Sequence, residues 1–492
     1  MLVVVPHISE EQELFGVYSV VMSIALYLTY SDLGFLSAGQ KYAAESYANG
    51  NRDNEYRIIG FTIFLLLVMS VPFTVTAYFV SLNPTVIISE LSDNAKIIAS
   101  RLFFIIAFLL PVQVLLQRLV QSILSIRLKD YLYLRIDFFS NLIKITSTFW
   151  FFKSDYLLVE FVAFSILLTI LSQIFILINF KTRHSYEILQ VLREVKFSLD
   201  TYNKVSKLAY SSLLVTLSWI LYYELDLVFI GRWLGARQVA IYAVAFSFLN
   251  FTRTFWNALY SPFAHRFNHL TGDDNSFLLS KNLLQQLMER TFLVTIIVGL
   301  VLIMFSESII YSWVGEGYSE SIAILRILLL GTFTVAINKP ISYFFTAQLN
   351  YKYLYVGAAT TPGVFILSLL LLVPSFGLVG FAIAKTLAVF SSSLVAIIFV
   401  RKVYQPLNLF KIWHRELVIV TFSLYMITRV YSLLKLSVEE NSMLALIAVF
   451  ISITLVAIIL IFILFLYSKR FKNIFRDLIA TRRGIGDHSN LD

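Results

Sequence analysis

The sequence predicts an all-α integral membrane protein: two pseudo-symmetric six-helix lobes followed by two further C-terminal helices. Three observations lead there. The 492 residues are 58% hydrophobic and 14% charged, with a mean hydropathy of +0.79, whereas soluble domains run to about 45–50% apolar and about 25% charged. The apolar residues are gathered into runs of the ~20 residues that cross a bilayer. The pattern of the first half then returns in the second at a nearly constant offset.

Taken in order, the runs occupy residues 14–36, 58–81, 97–126, 131–152, 156–180, 208–230, 238–260, 291–313, 321–348, 353–375, 377–400, 417–436 and 442–467. Segments this long and apolar are expected to be helices, because a helix satisfies its backbone hydrogen bonds internally where no water can. The first run has no basic flank before it and no small-residue cleavage site after it, so it reads as a span rather than a cleavable signal peptide.

The short gaps set the orientation. Lys41, Arg52 and Arg57 lie in the first gap, and Arg127 and Lys129 in the third. Lys181, Arg193, Lys196 and Lys204 lie in the fifth, Arg266, Lys281 and Arg290 in the seventh, and Arg401 and Lys411 in the eleventh. The alternate gaps hold only Lys96, Lys153, Arg232, Arg237 and Lys435. By the positive-inside rule the odd gaps and the basic tail are cytoplasmic. The formal charge of +9 is thereby explained by membrane topology, and no nucleic-acid partner is expected.

The repeat is carried by three matches in order. Tyr18, Val20 and Ser23 align with Tyr242, Val244 and Ser247. Arg101-Leu102 aligns with Arg326-Ile327, and Tyr131–Leu134 with Tyr353–Val356. Even numbers of spans per unit give the halves the same orientation, related by an axis along the membrane normal. The organisation that follows is an N-terminal lobe over 1–180, a basic cytoplasmic linker over 181–207 and a C-terminal lobe over 208–400. An added helix pair covers 401–467 and a basic tail 468–492. The span that opens the second unit at 208–230 has no full counterpart in the first. Thirteen spans are therefore visible and fourteen expected, with the first missing or truncated.

The stretches "ELDLVFIGRWLGARQVAIYAVAF", "YSDLGFLSAGQKYAAE" and "FGLVGFAIAKTLAVF" resemble the polysaccharide flippases of the O-antigen translocase type. That family shares a superfamily with the lipid II flippase and the multidrug and toxin extruders. The resemblance covers essentially the whole chain. It implies a transporter of the bacterial inner membrane that moves an undecaprenyl-diphosphate-linked oligosaccharide to the periplasmic leaflet by alternating access. The implied partners are that lipid-linked oligosaccharide, membrane lipids and other polysaccharide assembly proteins.

Several chemistries are set aside by the residues themselves. The chain has no cysteine, which removes disulfides, thiol catalysis and Cys-ligated metals. It has no phosphate loop of the G-x-x-x-x-G-K-[ST] type. The six histidines have no metal-ligand spacing, and no cofactor is expected. Short external gaps argue against a membrane polymerase or glycosyltransferase.

The candidate site residues are the charges inside the spans, since each costs at least about 2.5–3.5 kcal/mol near the centre and must face protein or a wet cavity. Cations exceed anions there, as an anionic head group requires. Arg253, Arg118, Lys339, Lys144, Arg101 and Arg326 are the candidate substrate-binding cations. Asp32, Asp137, Glu224 and Asp226 are candidate ion-pair or proton-coupling acids. Asn250, Arg253 and Asn257 share one helix face (i, i+3, i+7), and Asp137, Asn141, Lys144 and Thr148 form a second polar stripe. Two other substrate classes stay open. A drug/cation antiporter would rely on buried acids in a less basic cavity, and a lipid II flippase would share the polyprenyl-diphosphate chemistry.

Overall fold

The computed structural model describes residues 4–30, 32, 34–153, 156–184, 187–223, 225–270, 276–348, 350–403, 414–425 and 442–468. Among these residues the chain is helical throughout, and eight helices are long and apolar enough to cross a membrane. The elements are α1 Val4–Ile8, α2 Gln12–Tyr30, α3 Phe35–Ala48, α4 Arg52–Leu82, α5 Asp93–Ile126, α6 Asp130–Phe151, α7 Leu158–His184, α8 Ile188–Arg193 and α9 Leu199–Tyr223. There follow α10 Asp226–Leu234, α11 Ala236–Leu270, α12 Ser276–Met304, α13 Ser306–Val314, α14 Glu320–Leu330, α15 Val335–Ala347 and α16 Tyr351–Val403. A helix over 414–425, α17, and α18 Met443–Tyr467 complete the order.

Helix ends follow local chemistry. The Ser92 side chain accepts the Ala95 amide at the start of α5, Asn51 accepts Asn54 at α4, and Ser442 accepts Ala445 at α18. Each satisfies one of the amides that a first turn leaves without a partner. Four of the expected spans are interrupted, 208–230 between α9 and α10 and 291–313 between α12 and α13 among them. The run 14–36 breaks between α2 and α3, where Gly34 takes the left-handed conformation at φ 87°. The run 321–348 is divided between α14 and α15 by a short 3-10 turn, Gly331–Thr334. The 53 residues of α16 kink at Gly377, φ 51°, which separates the predicted runs 353–375 and 377–400. The helices α6 and α11 are not among the eight apolar spans, because Arg135, Asp137 and Lys144 sit in the first, and Arg237, Arg253 and Arg266 in the second.

The chain forms two compact units, Met1–Ala243 and Val244–Asp492. The boundary falls inside α11 rather than at the 181–207 linker, because α9 packs against α3 and α10 against α2. In the first unit α4, α5 and α7 enclose a core of Ile58, Ile59, Ile123, Leu124 and Phe180, on which Val191 of the linker also packs. The approach of α11 to α2 is close: a Cβ on Gly16 would lie 1.8 Å from the Ala236 carbonyl oxygen, so only glycine fits there. In the second unit α12, α14, α15 and α16 pack together, with α13 and α18 alongside. The repeat is visible in the element starts. α2 begins at Gln12 and α11 at Ala236, the same separation as Tyr18 and Tyr242.

Apolar side chains cover the outside as well as the core. Trp150 on α6, Leu171 on α7 and Leu444 on α18 are more than half exposed. A lipid-facing surface is as apolar as the interior, so this distribution fits a chain that crosses a bilayer.

Candidate functional site

In the first unit two of the intramembrane charges meet at the break in the first predicted span. The helix α2 ends there with backbone carbonyls that no intrahelical amide reaches. Arg118 of α5 donates to one of them, the Thr29 oxygen, at 2.9 Å, and to the Gln121 Oε1 at 3.2 Å. A cation at a helix C-terminus is favoured by the helix dipole. Asp32, in the break, accepts the Leu36 amide at 3.1 Å and so serves the start of α3. It also lies within electrostatic reach of Arg118. Each charge therefore complements one of the two facing helix ends.

A second acid and base follow on α6. Asp137 accepts from the Asn141 amide at 2.9 Å, one turn along the stripe that the sequence predicts. Lys144 donates to the Thr169 hydroxyl of α7 at 2.7 Å and feels the Asp137 charge. Gln117 of α5 donates to the Tyr133 hydroxyl of α6 at 2.9 Å, and Tyr133 is within reach of Arg118 and Asp137 alike. Asp32, Arg118, Tyr133, Asp137 and Lys144 thus form one chain of interacting groups from the α2–α3 break through α5 to α6.

The second unit is arranged differently. Arg253 of α11 donates to the Asn250 Oδ1 at 2.7 Å. Lys339 of α15 donates to the Asn257 Oδ1 at 2.5 Å, and the two cations act on each other electrostatically. Asn250, Arg253 and Asn257 follow one another along α11, and Lys339 reaches Asn257 from a distant part of the chain. Both cations are half-buried. Arg253 and Lys339 are two positive charges set close together, each donating to an amide carbonyl. Arginine offers a planar fork and lysine a point charge, the two ways that proteins hold phosphate.

The remaining predicted residues lie elsewhere. Arg326 of α14 is exposed and tied to the Ser306 hydroxyl at 2.7 Å and to Glu307 at 3.3 Å. Arg101 is exposed on α5. Asp226 is fully buried and accepts from the Tyr242 hydroxyl at 2.9 Å, while Arg232 donates to the Thr85 backbone oxygen. Glu224 lies outside the described residues. Lys385 is buried, with its ammonium 4.2 Å from the Phe246 ring and 5.8 Å from that of Phe365. Such placement over aromatic faces stabilises a desolvated cation.

Sequence reasoning missed one charged cluster. Glu55 of α4 is fully buried and binds Arg127 at 2.6 Å and Arg52 at 3.0 Å. Both guanidinium groups also sit over the Tyr47 ring, at 4.0 and 4.7 Å. The spacing of Arg52 and Glu55, one helical turn, was the available signal. It was overlooked because both fall in a short polar gap, where charges are expected to be solvated.

Comparison with known proteins follows the fold. The MatE family profile matches residues 212–369. No curated protein matches the sequence. A solved structure described as the lipid II flippase MurJ in an inward closed conformation aligns with a TM-score of 0.63 at 17% identity, covering 95% of this chain and 98% of that one. An inward-facing multidrug resistance MATE family transporter of the MOP superfamily aligns with a TM-score of 0.65 at 12% identity, covering 82% and 93%. A MATE crystal structure in the bent conformation gives 0.53 at 13%, covering 82% and 90%. The chain has the all-helical fold of the MOP-superfamily transporters, with a MatE stretch at 212–369.

Proposed function

We propose that this chain is a flippase that moves an undecaprenyl-diphosphate-linked oligosaccharide, the repeat unit of an O-antigen or other surface polysaccharide, across the bacterial inner membrane by alternating access. The observation that carries the reading is the Arg253–Lys339 pair, two neighbouring cations anchored on asparagine carbonyls. A diphosphate is the ligand that such a pair suits, because two phosphates neutralise both charges at once. A cationic drug is the ligand it repels, which speaks against the antiporter reading.

Arg253 and Lys339 hold the diphosphate in this reading. Arg118 and Lys144, each with an acid nearby, serve internal charge balance, and Asp32 and Asp137 are the groups that re-sort as the protein changes state. Arg101 and Arg326, both exposed, act as outlying cations at the rim. The alignment with the lipid II flippase over nearly the full length of both chains supports a second reading, in which the lipid-linked sugar is lipid II. The diphosphate contact is the same in both.

The test uses proteoliposomes. A labelled polyprenyl-diphosphate oligosaccharide is loaded, and its exposure to a membrane-impermeant glycosidase is followed, beside a parallel assay with lipid II. Protein-dependent exposure that is lost in Arg253→Ala and retained in Arg253→Lys supports the charge role. Equal transport in wild type and both variants removes it. Efflux of an organic cation with no lipid exposure reassigns the chain as an antiporter.

A further inference from the structure

One hydrogen bond, from Lys144 to Thr169, joins two rows of polar side chains on α6 and α7. Ser140, Lys144 and Thr148 follow at i, i+4 and i+8 on α6, and Ser165, Thr169 and Gln173 do so on α7. Residues spaced in this way share one helix face. The Lys144–Thr169 hydrogen bond at 2.7 Å fixes the register of the two consecutive, oppositely directed helices. Stepping one turn each way sets Ser140 opposite Gln173 and Thr148 opposite Ser165. The result is a three-rung polar ladder about 12 Å long with the lysine on its middle rung.

The ladder is turned inward. Ser140 is 4% exposed and Gln173 1%, while Phe138, Phe139 and Trp150 on the other side of α6 are more than 60% exposed. The Ser140 Oγ, Ser165 Oγ and Gln173 Oε1 are sealed from solvent without a protein hydrogen-bond partner. Buried polar atoms of this kind are satisfied by ordered water. Lysine carries three N–H donors, and Thr169 receives one of them.

The partner chosen for Lys144 matters. A carboxylate in contact would fix the ammonium form. A hydroxyl can accept from an ammonium and can also donate to a free amine. Thr169 makes that exchange by turning its one hydroxyl proton, now donated to the Ser165 backbone oxygen at 2.9 Å, toward the amine. Asp137 is held by Asn141 and reaches Lys144 only through its field.

We propose that the α6–α7 seam is a hydrated proton-handling site in which Lys144 binds and releases the proton and the serine, threonine and glutamine rungs conduct it. The charged and titratable groups around it are few. Asp137 and Tyr133 lie on α6 itself. Arg118 acts from α5, next to Tyr133. His7 of α1 stacks on Phe149 at 5.0 Å, and Glu160 stands at the start of α7. The site supplies the coupling ion for the transporter described above, and it rests on that reading only for what the proton drives.

The proton itself is read first, without any substrate. Purified full-length protein in unbuffered detergent solution is titrated with a pH indicator across the neutral range, as wild type, Lys144→Gln and Lys144→Arg. The expected result is one proton fewer per molecule in both variants, with Lys144→Arg showing the native helical signal and melting temperature. Identical titration curves in all three overturn the proposal. Reconstituted protein is then assayed with and without a proton gradient. The ratio of the two transport rates is expected to fall to one in Lys144→Gln, in Lys144→Arg and in Thr169→Val. A ratio unchanged from wild type in Lys144→Gln also overturns it. If wild type moves no lipid-linked oligosaccharide, the flippase reading fails while the titration still decides the fate of the proton site.

Discussion

The two units set their cations in different company. In the first, the field of Asp32 reaches Arg118, that of Asp137 reaches Lys144, and Arg52 and Arg127 share Glu55. In the second, Arg253 and Lys339 act on each other and donate to the carbonyls of Asn250 and Asn257, Lys385 lies over the Phe246 ring, and the exposed Arg326 meets Glu307. Acids close to bases let charge be redistributed within the protein. Cations grouped on neutral acceptors create a positive potential that an outside anion relieves. In the function proposed above, the first arrangement moves charge within the protein and the second captures an anion.

The strongest way to break this comparison is to remove an acid from the first unit. Glu55→Ala strands the Arg127 guanidinium, whose side chain is only 8% exposed. Removing one partner of a buried ion pair costs about 3–5 kcal/mol. A marked drop in melting temperature in detergent is expected, with much of it recovered in the double variant Glu55→Met/Arg127→Met. A Glu55→Ala protein as stable as wild type shows that the first unit does not depend on its acids.

The converse change in the second unit has a functional effect and little structural cost. Lys339→Met relieves the repulsion from Arg253, so stability is expected to hold or rise. Transport of the diphosphate lipid is expected to fall about 10- to 100-fold, the worth of one charge-assisted hydrogen bond of about 1.5–3 kcal/mol. Lys339→Arg is expected to retain most of the rate. Unchanged transport in Lys339→Met removes the anion-capture half of the comparison.

How much of this was legible beforehand depends on whether a feature lies within one helix. The stripe Asn250, Arg253 and Asn257 could be read from spacing alone, because helical periodicity fixes which residues share a face. Its fourth member, Lys339, was recognised as an intramembrane cation, but its position against Asn257 depends on packing 82 residues away. The same holds for Lys144, whose own stripe was visible. The facing row of Ser165, Thr169 and Gln173 was not, since isolated hydroxyls in apolar helices commonly bond to their own preceding carbonyls. The break at Gly34 was missed because the apolar run continues across it. Asp226, expected as an ion-pair or proton-coupling acid, lies buried and accepts from Tyr242, a partner on the following helix that hydropathy does not identify. Hydropathy reports the depth of a residue along the span and not the side it faces.

Asp226 gives a third, smaller test. Tyr242→Phe removes the hydroxyl that solvates a fully buried acid. The loss of this hydrogen bond is expected to cost about 1–3 kcal/mol, read as a fall in melting temperature in detergent. A variant that melts like wild type shows that Leu227 and the other groups around Asp226 suffice to hold it.

The smallest effect sharpens the comparison most, because it separates two jobs of one side chain. Asp32 accepts the Leu36 amide at the start of α3 and also faces the Arg118 charge. The Asp32→Asn change keeps a side-chain acceptor and removes the charge. It is therefore expected to cost under about 1 kcal/mol, since Arg118 retains the Thr29 carbonyl. Asp32→Ala loses the acceptor as well, and a side-chain cap at a helix start is worth about 0.5–2 kcal/mol. Melting temperatures in the order wild type, Asp32→Asn, Asp32→Ala separate cap from charge. If Asp32→Asn is as damaging as Asp32→Ala, the Arg118 pairing outweighs the cap, and the acid–base pair rather than the helix break organises this end of the first unit. If Asp32→Asn melts like wild type but loses its response to a proton gradient, Asp32 moves charge during transport and Lys144 does not act alone.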